Sequence, residues 1–266
     1  MAEKKVMIVE PAPKSTSSNL QLSDVVIEIT RQCNMRCDHC LRGDPQNINI
    51  SDEILDEFFR KIKGHSISTL TLTGGEPSLV ADRIKAAVKY AKKYKVYVDS
   101  FYIVTNAKQI TSAFLCSVIE LFSYCSDNEG SGLVYSSDQF HEKPSNINLR
   151  KLQCFSFFGA KGEIDRYNVL NEGRGENINW KVLNISPYTI DEYMIDGEIY
   201  LNCKGNIVPS CDLSYESQDM PSLILGNVLD PEFDLKTCCE KWNEICENKS
   251  TTVFALQERA LQERAA

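Results

Sequence analysis

Three cysteines stand close together at Cys33, Cys37 and Cys40, the second four residues after the first and the third three residues later. Thiolates are soft, charge-donating ligands suited to iron–sulfur clusters. A cubane cluster has four irons, so three thiolates leave one iron open to another ligand. His39 lies between two of these cysteines and is either a further iron ligand or a spacer facing solvent or the bound ligand. A second chemically pointed stretch is Thr73-Gly74-Gly75-Glu76-Pro77. Its glycines let backbone approach a ligand with no Cβ in the way, and Glu76 brings a carboxylate to the same turn.

The spacing C-x3-C-x2-C, followed at the end of the next expected strand by Gly-Gly-Glu, resembles the signature of the radical S-adenosylmethionine (SAM) enzymes. The resemblance implies a [4Fe–4S] cluster on Cys33, Cys37 and Cys40, with SAM as the ligand of the open iron. It implies that Gly74, Gly75, Glu76 and Pro77 meet the amino group of SAM. Asn106, Ser136 and Asp138 fall at strand ends where the family contacts the SAM carboxylate and ribose, although these types also cap strands and turns. Gly173-Arg174-Gly175 resembles a late Gly-Arg-Ala element, so Arg174 either pairs with the SAM carboxylate or is an ordinary surface arginine. His141 is a candidate substrate contact or proton donor, or else a loop histidine.

Elements that alternate must carry these residues. Val25–Thr30 reads as a buried first strand, directly before the cysteine loop. Ser51–Lys63 reads as a helix with Ser51 as N-cap and an apolar stripe from Ile54 to Ile62. Strands at 68–73, 101–105, 132–136 and 153–158 alternate with helices at 80–95 and 112–125, and a sixth strand is expected at 179–185. The five lysines of the second helix, Lys85 to Lys95, read as a solvated face. Strand-then-helix units imply parallel strands with crossovers. Six units are too few to close an eight-unit barrel, so the expected fold is α/β, a partial (β/α)6 TIM-like barrel. The barrel is expected over residues 25–190, after an extended lead-in at 1–24.

The character changes after Pro187. Segments 198–202 and 207–209 flank Cys203-Lys204-Gly205-Asn206, which reads as a hairpin turn in which glycine supplies the tight corner. Cys211, Cys238, Cys239 and Cys246 follow. The hairpin, the cysteine after it and the later Leu-Gly-Asn-Val resemble the twitch domain, a shortened relative of the SPASM domain, over residues 191–249. A segment this short buries little apolar surface by itself and commonly needs a metal. The five cysteines then hold an auxiliary iron–sulfur cluster as the first reading, a zinc site as the second, or only pack. In helical spacing Cys239 and Cys246 share a face and Cys238 points aside. Cys116, Cys125 and Cys154 fall in expected elements and read as buried thiols. Residues 250–266, which repeat a five-residue unit from Ala255 onward, read as an exposed helical or disordered tail.

Composition bounds the partners. Net charge is −8, which argues against nucleic acid, and no apolar run reaches membrane-spanning length. With no export signal at the N-terminus, a cytoplasmic location and reduced cysteines are expected. The resemblance implies an electron donor such as flavodoxin or ferredoxin. It also implies a 5′-deoxyadenosyl radical that removes a hydrogen atom from an unactivated carbon. A peptide or protein side chain is the first substrate reading, since the C-terminal segment resembles those of peptide-modifying members. A small molecule or nucleotide, as in the seven-carboxy-deazaguanine synthase branch, is the second. A non-catalytic iron–sulfur or zinc module is the reading of another class.

Overall fold

The computed structural model describes residues 20–161, 169–177 and 185–248. The lead-in at 1–19, most of the sixth strand expected at 179–185 and the tail lie outside these residues.

Strand β1 runs over Gln21–Thr30, four residues earlier than the apolar run suggests, because Leu22 already packs in the core. Helix α1 is Asp52–Lys61, and the Ser51 hydroxyl accepts from the Ile54 N–H. Asp52 and Glu53 sit in its first turn and Arg60 and Lys61 in its last, as the helix dipole favours. Ile54, Leu55, Phe58 and Phe59 are buried on one face. Burying side chains of this size stabilises by about 1.5–3 kcal/mol each. Strand β2 (Ser66–Gly74), helix α2 (Ala81–Tyr94), strand β3 (Tyr97–Thr105), helix α3 (Ser112–Tyr124) and strand β4 (Gly132–Ser136) complete the expected alternation.

Two differences follow. Asn146–Leu152 forms helix α4, capped by the Ser145 hydroxyl, and strand β5 is Phe158–Lys161 rather than 153–158. The aromatic run read as strand is a turn whose rings stack: Phe155 and Phe157 lie 5.2 Å apart, and Phe157 and Phe122 4.3 Å. Cys116 and Cys154, read as buried, are exposed, while Cys125 is buried.

Strands β6 (Thr189–Ile190), β7 (Met194–Leu201), β8 (Asn206–Val208) and β9 (Gly226–Asn227) follow, with short helix α5 (Tyr215–Gln218) and helix α6 (Leu235–Asn248). The sheet order is β5-β4-β3-β2-β1-β7-β8-β9, with β6 on β7. Pairing is parallel from β5 to β7 and antiparallel beyond it. The C-terminal hairpin therefore extends the barrel sheet on the free side of β1. Cys203, Leu225, Val228, Phe233, Leu235, Cys238, Cys239 and Trp242 belong to the same core as β1 to β5. The segment thus has a core to share, which removes the physical premise for a stabilising metal.

Two charges are buried where β1 ends. Glu28 and Arg31 are both 0% exposed and pair at 2.7 Å. Glu28 also accepts from the Tyr200 hydroxyl at 2.8 Å and the Cys203 N–H at 3.1 Å. Arg31 donates to Gln218 at 3.0 Å and to Gln46 at 3.1 Å, and pairs with Asp219 at 3.3 Å. Its guanidinium lies 4.6 Å from the centre of the Tyr215 ring. Burial works against the Arg31 charge, but Glu28 and Asp219 outweigh it and raise its pKa.

Removing one partner leaves a buried uncompensated charge, a loss of about 3–5 kcal/mol. Glu28→Ala and Arg31→Ala should each lower the denaturant midpoint by that order. The double variant should lose less than the sum of the two. Additive losses would show that the pair does not act as a unit.

Candidate functional site

The C-terminal ends of β1 to β4 open into one cavity of about 530 Å³. Cys33, Cys37 and Cys40 line it from the loop after β1, with Gly74, Gly75 and Glu76 from the end of β2, Asn106 after β3, and Ser136, Asp138 and His141 after β4. Arg174, Asp212 and Tyr215 close it from the later chain. Pro77 is set one step back, buried at the start of a short 3-10 helix.

The cysteines are half-buried and unpaired with one another. Burial pushes the Cys37 thiol up to about 11, with Cys40 and Cys33 adding repulsion. Burial raises Cys33 as well, and Arg174 pulls both the other way. Cys33 and Cys37, whose thiols resist ionising, stand with Cys40 on one loop, and an iron cluster, whose irons stabilise thiolates, suits that set.

The glycines of the second motif meet protein before they meet ligand. A Cβ on Gly75 would stand 2.2 Å from the Gln32 carbonyl oxygen, and one on Gly74 2.1 Å from that of Thr30. The Gly75 N–H donates to Thr30 at 2.9 Å and the Glu76 N–H to Gln32 at 2.7 Å. Backbone of the β2 end is thus laid directly on the root of the cysteine loop.

Glu76 is 1% exposed. Its carboxylate accepts from the Ser78 N–H at 3.0 Å, the Thr105 hydroxyl at 2.6 Å and the Asn106 N–H at 2.7 Å. It fixes the ends of β2 and β3 relative to each other, rather than standing free toward the cavity. Asn106 in turn donates to the Asn34 side chain in the cysteine loop at 2.8 Å.

Arg174 is also committed. Its Nε donates to the Cys37 carbonyl at 2.9 Å, and its guanidinium also holds the Gly43 carbonyl and Asp44. Its backbone N–H donates to the Cys40 carbonyl at 2.9 Å. Gly173 has φ +56, and a Cβ there would stand 2.4 Å from the Leu41 carbonyl oxygen. The Gly-Arg-Gly element is a clasp on the cysteine loop.

Past β4, Asp138 accepts from the His141 ring at 2.7 Å and from the Phe140 N–H at 2.9 Å. Burial opposes its ionisation, but these two donors outweigh it and its pKa falls. His39 stacks on Phe140 at 4.5 Å and meets His141 edge-on at 4.9 Å. Burial first, then His141, lowers the His39 pKa. His39 Nδ1 and Asp138 Oδ2 are buried without a hydrogen-bond partner among the described residues. Unmet buried polar atoms at a cavity wall fit a polar ligand there.

The five late cysteines do not line this cavity. Cys203 is buried and donates to the Glu28 carbonyl, and Cys211 lies beside Glu198 and Asp212. Cys238 packs against Gly226, and Cys239 faces Tyr188, both on α6.

Residues 27–121 match the family model of the Radical SAM superfamily. The chain carries a radical SAM domain. Enzymes of that superfamily use a [4Fe–4S] cluster and SAM as cofactors. A GTP 3′,8-cyclase of Helicobacter pylori (strain ATCC 700392 / 26695) is 28% identical over 122 residues, 42% of this chain and 38% of that protein. A second, from strain HPAG1, is 31% identical over 68 residues, 24% of this chain and 21% of that protein. The chain thus spans well under half the length of these curated relatives. The solved structure of a tagged anSMEcpe with bound AdoMet superposes with a TM-score of 0.51 at 12% identity, over 83% of this chain and 80% of that one, and so shares the partial-barrel fold. No helix among the described residues is long and apolar enough to cross a membrane.

Sequence reading missed Arg42, Thr105, Asp212 and Tyr215. Arg42 is buried, donates to the Leu213 carbonyl at 2.9 Å and lies over the Tyr200 ring at 5.1 Å. An arginine two residues past the third cysteine was a readable signal. The tyrosine and aspartate, 170 residues downstream by chain, carried none.

The close contact at Gly75 decides a variant. Gly75→Ala must push the cysteine loop away from β2, at a cost of about 1–3 kcal/mol or more. Iron taken up on anaerobic reconstitution should fall together with SAM binding. Full iron content with SAM binding alone reduced would mean that the glycine serves only the ligand.

Proposed function

We propose that the chain takes a hydrogen atom from a peptide or protein side chain, using a single [4Fe–4S] cluster held by Cys33, Cys37 and Cys40. When bound together, the reduced cluster and SAM supply a 5′-deoxyadenosyl radical, the species able to attack an unactivated carbon. The chain's own residues hold and enclose the ligands. The open strand ends present unmet polar atoms of Asp138 and His39, and these suit the hydroxyls and ring nitrogens of the adenosine. Ser136 stands next to Asp138 on the same wall. His141, oriented by Asp138, lines the cavity as a substrate contact. Tyr215 and Asp212, brought by the C-terminal segment, narrow the mouth against water.

The observation that carries the substrate class is the state of the cavity's arginines. Arg42 and Arg174 line it, and both are committed to backbone carbonyls of the protein. Arg42 spends Nη1 on Leu213, and Arg174 spends Nε and Nη1 on Cys37, Gly43 and Asp44, so among the described lining residues few cationic donors are left for a triphosphate. An uncharged peptide segment needs none. The second reading, a nucleotide substrate, is favoured by the sequence likeness to GTP 3′,8-cyclases over 122 residues.

With dithionite and SAM, anaerobically reconstituted protein should form 5′-deoxyadenosine without added substrate, and Cys37→Ala should not. Turnover by that variant would sink the cluster assignment. GTP should neither raise this rate nor be consumed; a product derived from GTP would establish the nucleotide reading instead.

Iron analysis tests the number of clusters. The C-terminal segment shares the barrel core and needs no metal of its own to pack, so about four irons per chain are expected, as for one cubane. The Cys33/Cys37/Cys40 triple alanine variant should hold no iron. Retained iron with a cluster-type spectrum would restore an auxiliary site.

A further inference from the structure

Residues 169–177 touch the cysteine loop with one part and the C-terminal turn with another. Glu172 is buried. Its Oε2 accepts from the Ser214 N–H at 3.0 Å and from the Ser217 hydroxyl at 3.0 Å. The next residue, Gly173, lies so close to the loop that a Cβ would stand 2.7 Å from the Cys40 carbonyl oxygen. The residue after that, Arg174, holds the carbonyls of both Cys37 and Cys40. The same C-terminal turn grips the loop from its other side. The Tyr215 N–H donates to the Arg42 carbonyl at 3.1 Å, and the Arg42 side chain donates to Leu213 at 2.9 Å. A buried carboxylate satisfied by neutral donors is worth keeping only where its geometry matters, since leaving it unmet is costly.

We propose that Glu172 is a positioning residue for the cluster loop: by pinning the Gly173–Arg174 clasp to Ser214 and Ser217, it sets where Cys37 and Cys40 present their sulfurs. The proposal rests on the assignment of those cysteines to the SAM cluster. Through this strap the C-terminal segment acts on the cluster by hydrogen bonds alone. The two links are short and stiff: one residue separates the carboxylate anchor from the arginine clasp, and that residue is a glycine pressed on the loop. Loss of the anchor frees the clasp to swing, and the loop then samples positions in which SAM and cluster no longer fit together.

The test compares wild type, Glu172→Ala, Glu172→Gln and Leu223→Ala. Leu223 is buried in a separate small cluster with Val26, Tyr200 and Val208, and serves as a control for general loss of stability. Four quantities are read: iron per chain, the electron paramagnetic resonance spectrum of the reduced cluster with and without SAM, the SAM dissociation constant, and the thermal midpoint. Glu172→Ala should weaken SAM binding about tenfold, the scale of one lost charge-assisted hydrogen bond, and alter the spectral change that SAM induces. Glu172→Gln keeps an acceptor oxygen and should restore both. Leu223→Ala should lower the midpoint with SAM affinity and spectrum unchanged. If Glu172→Ala does not fold, Ser217→Ala removes one of the two bonds and should shift both readouts in the same direction by less. Wild-type affinity and spectrum in Glu172→Ala, or the same changes in Leu223→Ala, would overturn the positioning role. Absence of any cluster in wild type would overturn the cluster assignment itself.

Discussion

The buried pair of Glu28 and Arg31 is the constraint on which the rest of the site depends. It sits where β1 ends and the cysteine loop begins, with no solvent to share the cost of either charge. Desolvating both ions is expensive, so every remaining donor and acceptor must be met. The groups that meet them come from three places: Gln46 at the far end of the cysteine loop, Tyr200 and Cys203 on the C-terminal hairpin, and Gln218 and Asp219 at the C-terminal end of α5. Satisfying one ion pair thus fixes the direction in which the loop leaves the strand. It also fixes where residues almost two hundred positions later in the chain must lie.

This pair explains why the C-terminal segment behaves unlike a separate small domain. A free-standing unit of its length buries too little apolar surface to be stable. Here β7 adds to β1 in parallel register, and its side chains enter a core already built by the barrel. Cys238, Cys239 and Trp242 of α6 pack there beside Leu235. Cys238 and Cys239, which suggest ligands in sequence, lie buried in that core, where sulfur also packs as a small apolar group. Composition does not separate the two uses, since both call for buried sulfur.

What sequence made legible was local. The cysteine loop, the Gly-Gly-Glu turn, the N-cap Ser51 and β4 all lie where periodicity and motif spacing put them. What it concealed was of two kinds. The aromatic run at 153–158 has strand-like composition, and ring stacking with Phe122 overrode that propensity; the Ser145 cap of α4 was a signal for the helix before it. The other kind is long-range. Glu28 stood in plain view inside a buried apolar run, and a carboxylate there demands a partner. Its partners on the hairpin were beyond any local pattern.

The motifs also serve ends other than those their types suggest. Gly74 and Gly75 are small because the Thr30 and Gln32 carbonyls occupy the space a side chain would need. Glu76 ties β2 to β3, and Arg174 ties the loop to the late chain. Cys37, Cys40, Arg42 and Gly43 all have their carbonyls taken by donors from the protein. With the backbone so engaged, the sulfurs and the His39 ring are the groups of the loop left for a ligand. A loop held by hydrogen bonds from every side loses little conformational entropy when it binds one, which is the physical content of preorganisation. The same arrangement limits what else can enter. Arg42 and Arg174, the two arginines that line the cavity, both spend donors on backbone carbonyls that hold this arrangement in place.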